Sequence, residues 1–230
     1  MALILSLETS TVFCSVALHQ NGMLVATRES RTAQSTASQL AVLIDEMMKT
    51  TAYATRDLQA VAVAAGPGSY TGLRIGVATA KGICYALSAP LISINTLELL
   101  VWQFTNNIHS INAGTLLCPM LDARRMEVYC LLANTKREVV EKTQAKIIDG
   151  DSFADLLSKN EIYFFGDGAA KCNDVIRHPN AHFAEGVHPM AEHMGAWAFE
   201  KFAARQFEDT ASFEPFYLKD FMIRKPIALS

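Results

Sequence analysis

The sequence predicts an α/β fold built from two similar halves, each with a mixed β-sheet flanked by helices. Three strand-like runs open the first half, and two units of a strand followed by a helix come after them. The same order restarts near residue 116. In both halves a strand leads directly into a glycine-rich turn, at 66–72 and at 166–168. A repeated order of this kind indicates an internal duplication.

The first half opens with candidate strands at 3–7, 13–19 and 23–29. Asn21-Gly22 separates the second strand from the third, and this dipeptide favours a tight hairpin turn. The first three strands are therefore predicted to be antiparallel neighbours.

The rest of the first half alternates helices and strands. Five apolar residues recur at helical spacing and predict the first helix: Leu40, Leu43, Ile44, Met47 and Met48. A buried strand at 61–64 leads through the glycine turn into a second helix from about Thr71. A strand at 91–94 and a helix from near Thr96 complete the order βββαβαβα.

The second half is predicted to contain strands at 116–121, 126–132 and 162–165, and helices after the second glycine turn and at 190–207. Glu8 and Asp122 then occupy equivalent strand ends. This arrangement is that of actin, sugar kinases and Hsp70, a duplicated actin-like or ribonuclease H-like fold that binds nucleotide between its domains. We expect domains at 1–108 and 109–230, with a tail that could pack back on the first domain.

Composition limits the classes of function. The chain has 230 residues, 50% of them hydrophobic, and a net charge of -3. The pI is about 6.1, and the composition does not predict a basic surface for direct nucleic-acid binding. We interpret Lys219, Arg224 and Lys225 as a solvated tail. No run of 18 apolar residues predicts a membrane span, so we expect a cytoplasmic protein.

Five cysteines are scattered through the chain, most of them in apolar runs, and we interpret them as reduced core residues: Cys14, Cys84, Cys118, Cys130 and Cys172.

The glycine segment at 66–76 could bind an anion, because glycine allows close approach and the first amides of a helix are unpaired. Its spacing fits neither the dinucleotide fingerprint nor the P-loop, so a purely structural turn is equally open. Glu8 could likewise hold magnesium or simply cap a strand end. The candidate residual phosphate loops comprise Glu8, Thr9, Ser10, Gly66, Gly68 and Ser69.

Neither a metal site nor a nucleophile is predicted. His178 and His182 have helical ligand spacing, but Pro179 makes a loop the preferred interpretation. Ser69 is not in a Gly-x-Ser-x-Gly elbow and is interpreted as the cap of the second helix. No catalytic residue is therefore assigned.

The two first helices could bind a partner. Gly72, Gly76, Ala80 and Cys84 recur every four residues, and residues 40–44 are apolar around much of the helix. Both helices could equally be enclosed within the fold. The candidate interface comprises Leu40, Leu43, Met47, Gly72, Ile75, Gly76, Thr79, Ala80 and Ile83.

Four segments carry a resemblance to a known family, at 5–11, 66–82, 121–129 and 214–219. With Leu-Ser-Leu-Glu-Thr-Ser-Thr at 5–11 and Gly-Pro-Gly-Ser-Tyr-Thr-Gly-Leu-Arg at 66–74, the chain resembles the TsaB family of tRNA threonylcarbamoyladenosine biosynthesis proteins over essentially its whole length. The resemblance implies a role in forming N6-threonylcarbamoyladenosine at position 37 of tRNAs that read codons starting with A.

The resemblance also implies partners. The chain would be the non-catalytic partner of a larger transferase paralogue, TsaD, joined by a small ATPase, TsaE. It would meet tRNA and ATP or ADP only within that complex, and it could form a homodimer when alone.

Three departures from related sequences limit what can be carried over. The transferase carries His-Met-x-x-His after its fifth strand to hold a metal, whereas this chain has Thr96 and Leu100 at those places. Glu8 replaces an Asp of many relatives, and Ser35-Thr36 replaces a histidine followed by serine or threonine. An autonomous ATP-dependent kinase or ATPase remains the main alternative, and a peptidase is a further one.

Overall fold

The computed structural model describes residues 1–31, 36–107, 111–112 and 114–218. Its elements in the first half are β1 (Leu3–Glu8), β2 (Cys14–Gln20), β3 (Met23–Ser30), α1 (Thr36–Lys49), β4 (Ala60–Gly66), α2 (Tyr70–Leu87), β5 (Leu91–Asn95) and α3 (Thr96–Asn107). Those in the second half are β6 (Leu116–Asp122), β7 (Glu127–Asn134), β8 (Val139–Ile147), α4 (Ala154–Leu157), β9 (Ile162–Phe165), β10 (Ala181–Ala184) and α5 (Gly195–Ala203).

The two sheets have the same topology, which confirms the predicted duplicated α/β fold. The first sheet has the order β3-β2-β1-β4-β5 and the second the order β8-β7-β6-β9-β10. In each, the three strands at one side are antiparallel and the remaining pairs are parallel. β1 and β6 are therefore equivalent central strands, and Glu8 and Asp122 lie at their equivalent ends, as predicted.

The second half differs in detail from the sequence prediction. β8 was not predicted because it has three charged residues and no buried one, and β10 because it is only four residues long and follows Pro179. His182 lies on β10, so the prediction of a loop there was wrong for this residue. The helix expected after the second glycine turn is only a 3-10 turn at Ala170–Cys172. The last helix is shorter than 190–207, because a 3-10 turn at Ala191–Met194 precedes α5.

Helix α3 packs between the two halves and is apolar on two sides for that reason. Leu99 packs with residues of the first sheet, whereas Leu100 and Phe104 pack with residues of the second. The rings of Phe104 and Phe165 stack in parallel with their centroids 4.1 Å apart. α3 therefore joins two cores into one body.

The chain returns to the first half after β10. Met194 and Ala198 pack against Ile4 of β1 and Ile92 of β5. The amide of Glu208 then donates to the carbonyl of Leu91 at 2.9 Å. The described part of the predicted tail thus lies on the first half, while the boundary at residue 108 stays a prediction.

Two further expectations concern composition. All five cysteines are buried, which confirms that they are core residues. Among the helices in the described part of the chain, none combines the length and the apolar character needed to cross a bilayer. The basic tail residues Lys219, Arg224 and Lys225, and Ser35 before α1, lie outside the described residues.

Truncating Phe104 tests the role of α3. Phe104→Ala is expected to lower the free energy of unfolding by about 3–5 kcal/mol, because it removes one of the two stacked rings and leaves a cavity beside Phe165. Urea denaturation measures the loss. Phe207→Ala is the control, since Phe207 is 39% exposed and should lose less than half as much. Equal losses in the two variants would contradict the central position of α3.

Candidate functional site

The glycine turn packs directly on the turn that follows β1. The amide of Ser69 donates to the carbonyl of Ser10 at 2.6 Å, and the hydroxyl of Thr9 donates to the carbonyl of Gly72 at 2.8 Å. A Cβ at Gly68 would collide with the Ser10 carbonyl, and one at Gly72 with the Thr9 carbonyl. The glycines therefore serve a close approach of two backbone segments of this chain.

The start of α2 is capped as predicted. The amide of Gly72 donates to the hydroxyl of Ser69 at 3.3 Å, which supports the interpretation of Ser69 as a helix cap. At Gly66, with φ of 107°, an added Cβ would lie 2.7 Å from the carbonyl oxygen of Phe216. Both faces of the turn are thus in contact with other parts of the chain. The structural role explains these glycines, and the phosphate role of the two loops stays a prediction.

Glu8 is fully buried at the end of β1. Its Oε1 accepts from the amide of Ser10 at 2.5 Å, whereas its Oε2 has no hydrogen-bond partner within the described part of the chain. Burial raises the pKa of Glu8 to about 7, against the hydrogen bonding from Ser10, and the charge of Asp167 raises it further. Glu8 is therefore a carboxyl group that changes charge near neutral pH.

The equivalent acid of the second half has a different environment. Asp122 is about half exposed and forms an ion pair with Lys171, whose Nζ also donates to the carbonyl oxygens of Arg125 and Glu127 at 2.7 and 2.6 Å. Asp167 in the second glycine turn accepts from the Asp122 amide at 3.1 Å, and burial raises its pKa. The two halves thus carry an acid at equivalent strand ends, but Glu8 is fully buried whereas Asp122 is half exposed and ion-paired.

Most of the predicted partner-binding residues lie inside this chain. Six are buried in its first core or against Thr9: Leu40, Leu43, Met47, Gly72, Gly76 and Ala80. Three are half-buried at the edge of that core: Ile75, Thr79 and Ile83. The small ridge of α2 is therefore used within the fold, because Thr9 and the first sheet need close approach there.

The tail covers one side of α2. Lys81 Nζ donates to the carbonyl oxygens of Ala211 and Phe213 at 3.0 and 3.1 Å. About two turns earlier, Arg74 Nε donates to the hydroxyl of Tyr217 at 3.3 Å. A tail that packs on the first half was expected, but its individual partners could not be predicted, because 130 or more residues separate them along the chain.

An open strip of α2 remains between the tail and α1. Ala78, Gly82 and Tyr85 are exposed there, Tyr85 by 87%. A Cβ at Gly82 would meet no atom within 4 Å, so nothing in the described chain requires a glycine at this position. On α1, Val42 is 52% exposed. This strip, with the half-buried Ile75, Thr79 and Ile83 beside it, is hereafter called the α2 face.

Two histidines had no assigned role in the sequence, and only the tertiary structure gives them contacts. His19 lies between Ser6 Oγ and the carbonyl of Glu192, 3.1 Å from each, and thus links β2 to the segment before α5. The ring of His188 lies 4.8 Å from that of Phe13. The described residues hold no group of three His, Cys, Asp or Glu side chains placed to bind a metal.

The positions that would hold the metal of a related transferase do not fit one. Thr96 begins α3 directly after β5, and Leu100 follows one turn later. Both side chains are fully buried, and Leu100 belongs to the apolar core of the second sheet. Neither provides a nitrogen ligand.

Two substitutions in α2 test the glycine contact. Gly72→Ala should destabilise the protein, because its Cβ would collide with the Thr9 carbonyl. Gly82→Ala, in open space on the same helix, should stabilise it by about 1 kcal/mol through helix propensity. Urea denaturation measures both. The contact would be unsupported if both variants shifted stability in the same direction.

Replacing Glu8 tests its burial. Because Glu8 has a raised pKa in the folded state, its stabilising contribution is complete below about 4.5 and is lost as the pH rises through about 7. Glu8→Gln should therefore match the native protein near pH 4.5 and exceed its stability at pH 8, by about 3 kcal/mol at most. Thermal unfolding at both pH values measures the difference. Glu46→Gln, on an exposed side of α1, is the control for the same change of side chain at the surface.

Known proteins match both the sequence and the fold. The family model described as TsaD, tRNA N6-adenosine threonylcarbamoyltransferase, matches residues 30–220. The tRNA threonylcarbamoyladenosine biosynthesis protein TsaB of Bacillus subtilis (strain 168) is 31% identical over 139 residues, 60% of this chain and 58% of that protein. TsaB of Escherichia coli (strain K12) is 32% identical over 126 residues, 55% of this chain and 52% of that protein. The matches thus span little more than half the length of these curated relatives.

Solved structures share the fold. A Pseudomonas aeruginosa protein described as similar to peptidase YEAZ has a TM-score of 0.79 at 22% identity, covering 95% of this chain and all of that one. YeaZ from Pseudomonas aeruginosa has a TM-score of 0.75, with the same identity and coverage. Since the family model covers most of the chain, the chain belongs to the family described as TsaD, tRNA N6-adenosine threonylcarbamoyltransferase.

Proposed function

We propose that this chain is a non-catalytic accessory subunit in the formation of N6-threonylcarbamoyladenosine at position 37 of tRNAs that read codons starting with A. It acts by binding and activating a TsaD-like transferase together with a TsaE-like ATPase. The observation that carries the proposal is the family match to TsaD and TsaB on a chain with Thr96 and Leu100 at the metal-binding places. Without those imidazoles, the partner must supply the transfer chemistry.

The α2 face is the surface that we propose for the transferase. An exposed glycine within a helix costs about 1 kcal/mol relative to alanine, and Gly82 has no contact in the described chain that offsets this cost. Ala78 and Gly82 leave room for another helix to approach closely, while Tyr85 offers a large aromatic surface. The same face could pair two copies of the chain when the transferase is absent.

Three features support an accessory role over an autonomous kinase or ATPase. The glycine turn is filled by the backbone of Thr9 and Ser10, where such an enzyme would place phosphates. Glu8 is fully buried beside it, and an ionised Glu8 would repel a phosphate. The second half, which would hold the adenosine, retains only a four-residue α4 and a 3-10 turn in place of α1 and α2. Nucleotide therefore enters only through the complex.

Reconstitution tests the proposed function. The purified chain is mixed with the transferase paralogue and the ATPase from the same organism, ATP, threonylcarbamoyl adenylate and tRNA, and the modified nucleoside is quantified. Product is expected only when the chain is present. Equal product without it would favour the autonomous ATPase, which nucleotide titration of the isolated chain would then test. Release of peptides from casein by the isolated chain would favour the peptidase alternative.

Substitutions on the α2 face test the proposed surface. Gly82→Trp should weaken binding of the transferase at least 10-fold, about 1.4 kcal/mol, because the indole blocks close helix approach. Titration calorimetry measures the affinity, and thermal unfolding should show an intact monomer. Gly150→Trp is the matched control, since a Cβ there also meets nothing within 4 Å and Gly150 lies in the second half. Native affinity in Gly82→Trp would show that the partner binds elsewhere.

A further inference from the structure

A cavity of about 140 Å³ lies where the turn before β2, the end of β3, helix α3 and the segment before α5 meet. Its lining includes Phe13, Glu29, Arg31, Gln103, His188, Met190 and Glu192. None of them belongs to the glycine turn or to the α2 face. The cavity is therefore a separate feature of the molecule.

Two residues that line this cavity each have a buried polar atom without a hydrogen-bond partner among the described residues. Gln103 is 7% exposed, and its Oε1 accepts no hydrogen bond from the residues that the structure describes. Nδ1 of His188 is buried and likewise has no partner among them. A buried acceptor without a donor costs about 1–3 kcal/mol, so a ligand whose donor reaches Oε1 when the Gln103 amide turns toward the cavity is favoured.

The charges around the cavity have both signs. The guanidinium of Arg31 pairs with Glu29 at 2.8 Å and lies 5.7 Å from the centroid of the Phe13 ring. Glu192 provides a second carboxylate, 3.5 Å from Nε2 of His193. A simple anion would meet these two carboxylates, and a metal ion would meet no set of three suitable ligands among the described residues. A ligand that carries both an ammonium group and a carboxylate satisfies the lining best.

The size of the cavity limits the ligand further. An apolar cavity of roughly 150 Å³ accommodates benzene, a molecule of six heavy atoms. A free amino acid with a side chain of one to three heavy atoms is of about that size. Phe13 and Met190 provide an apolar wall against which such a side chain can pack.

We propose that this cavity binds a small free α-amino acid. Its ammonium group donates to Gln103 Oε1 and to the carboxylate of Glu192, and its carboxylate accepts from the guanidinium of Arg31. The short side chain lies against Phe13 and Met190. Binding at this site goes beyond the proposed accessory function and does not depend on it.

Titration of the full chain with L-alanine and with L-serine tests this proposal, by calorimetry or by ligand-observed NMR. Saturable binding with a Kd of about 1 mM or lower is expected for at least one of them. N-acetyl-L-alanine, which lacks the ammonium group, and ethylamine, which lacks the carboxylate, should each bind at least about 10-fold more weakly.

Substitutions identify the site. Gln103→Leu and Arg31→Gln should each weaken amino-acid binding about 10-fold or more, whereas Gln144→Leu, on strand β8, should leave it unchanged. Thermal unfolding confirms that each variant is folded. The proposal is overturned if neither amino acid binds, which would indicate a cavity that holds only water. It is equally overturned if binding survives in both Gln103→Leu and Arg31→Gln, because the amino acid would then occupy another place.

Discussion

The close approach of α2 to the turn after β1 is the constraint on which the first half of the structure depends. Thr9 and Ser10 make backbone or side-chain hydrogen bonds to Gly72 and Ser69, and no side chain fits between the two segments. Because of this close approach, α2 packs on the first sheet and its small residues Gly72, Gly76 and Ala80 are buried. It also fills the space on one side of the glycine turn with backbone of Thr9 and Ser10, so these glycines serve the packing of the fold.

The two halves have the same topology but differ in what they retain. The first keeps two long helices on its sheet, while the second has a four-residue helix and a 3-10 turn at the equivalent places. Helix α3 packs against both sheets. Helix α5 and the tail pack on the first half. The first half is thus covered by the second half, α5 and the tail. The α2 face is exposed on the first half, with Tyr85 87% accessible.

The polar groups between the halves follow from this asymmetry. Glu8 is fully buried with one carboxylate oxygen unpartnered among the described residues, and Gln103 and His188 each have a buried atom in the same condition. In a protein that used this region for nucleotide, the acids would hold a metal and phosphates. Here the acid of the first half is enclosed, and that of the second half pairs with Lys171. The acids at the two equivalent strand ends therefore differ in burial and in partners.

The sequence by itself determined the fold class, the duplication and the position of most strands, because periodicity and glycine turns are local signals. It also determined the family, since the long glycine segment is specific. Only the tertiary structure decided that Gly72, Gly76 and Ala80 face inward and that the open strip lies at Ala78 and Gly82. Only the tertiary structure likewise shows the hydrogen bond from Lys81 to the tail and the cavity lined by Gln103. These features depend on contacts between residues far apart in the chain, and a local pattern cannot say which side of a helix such contacts will cover.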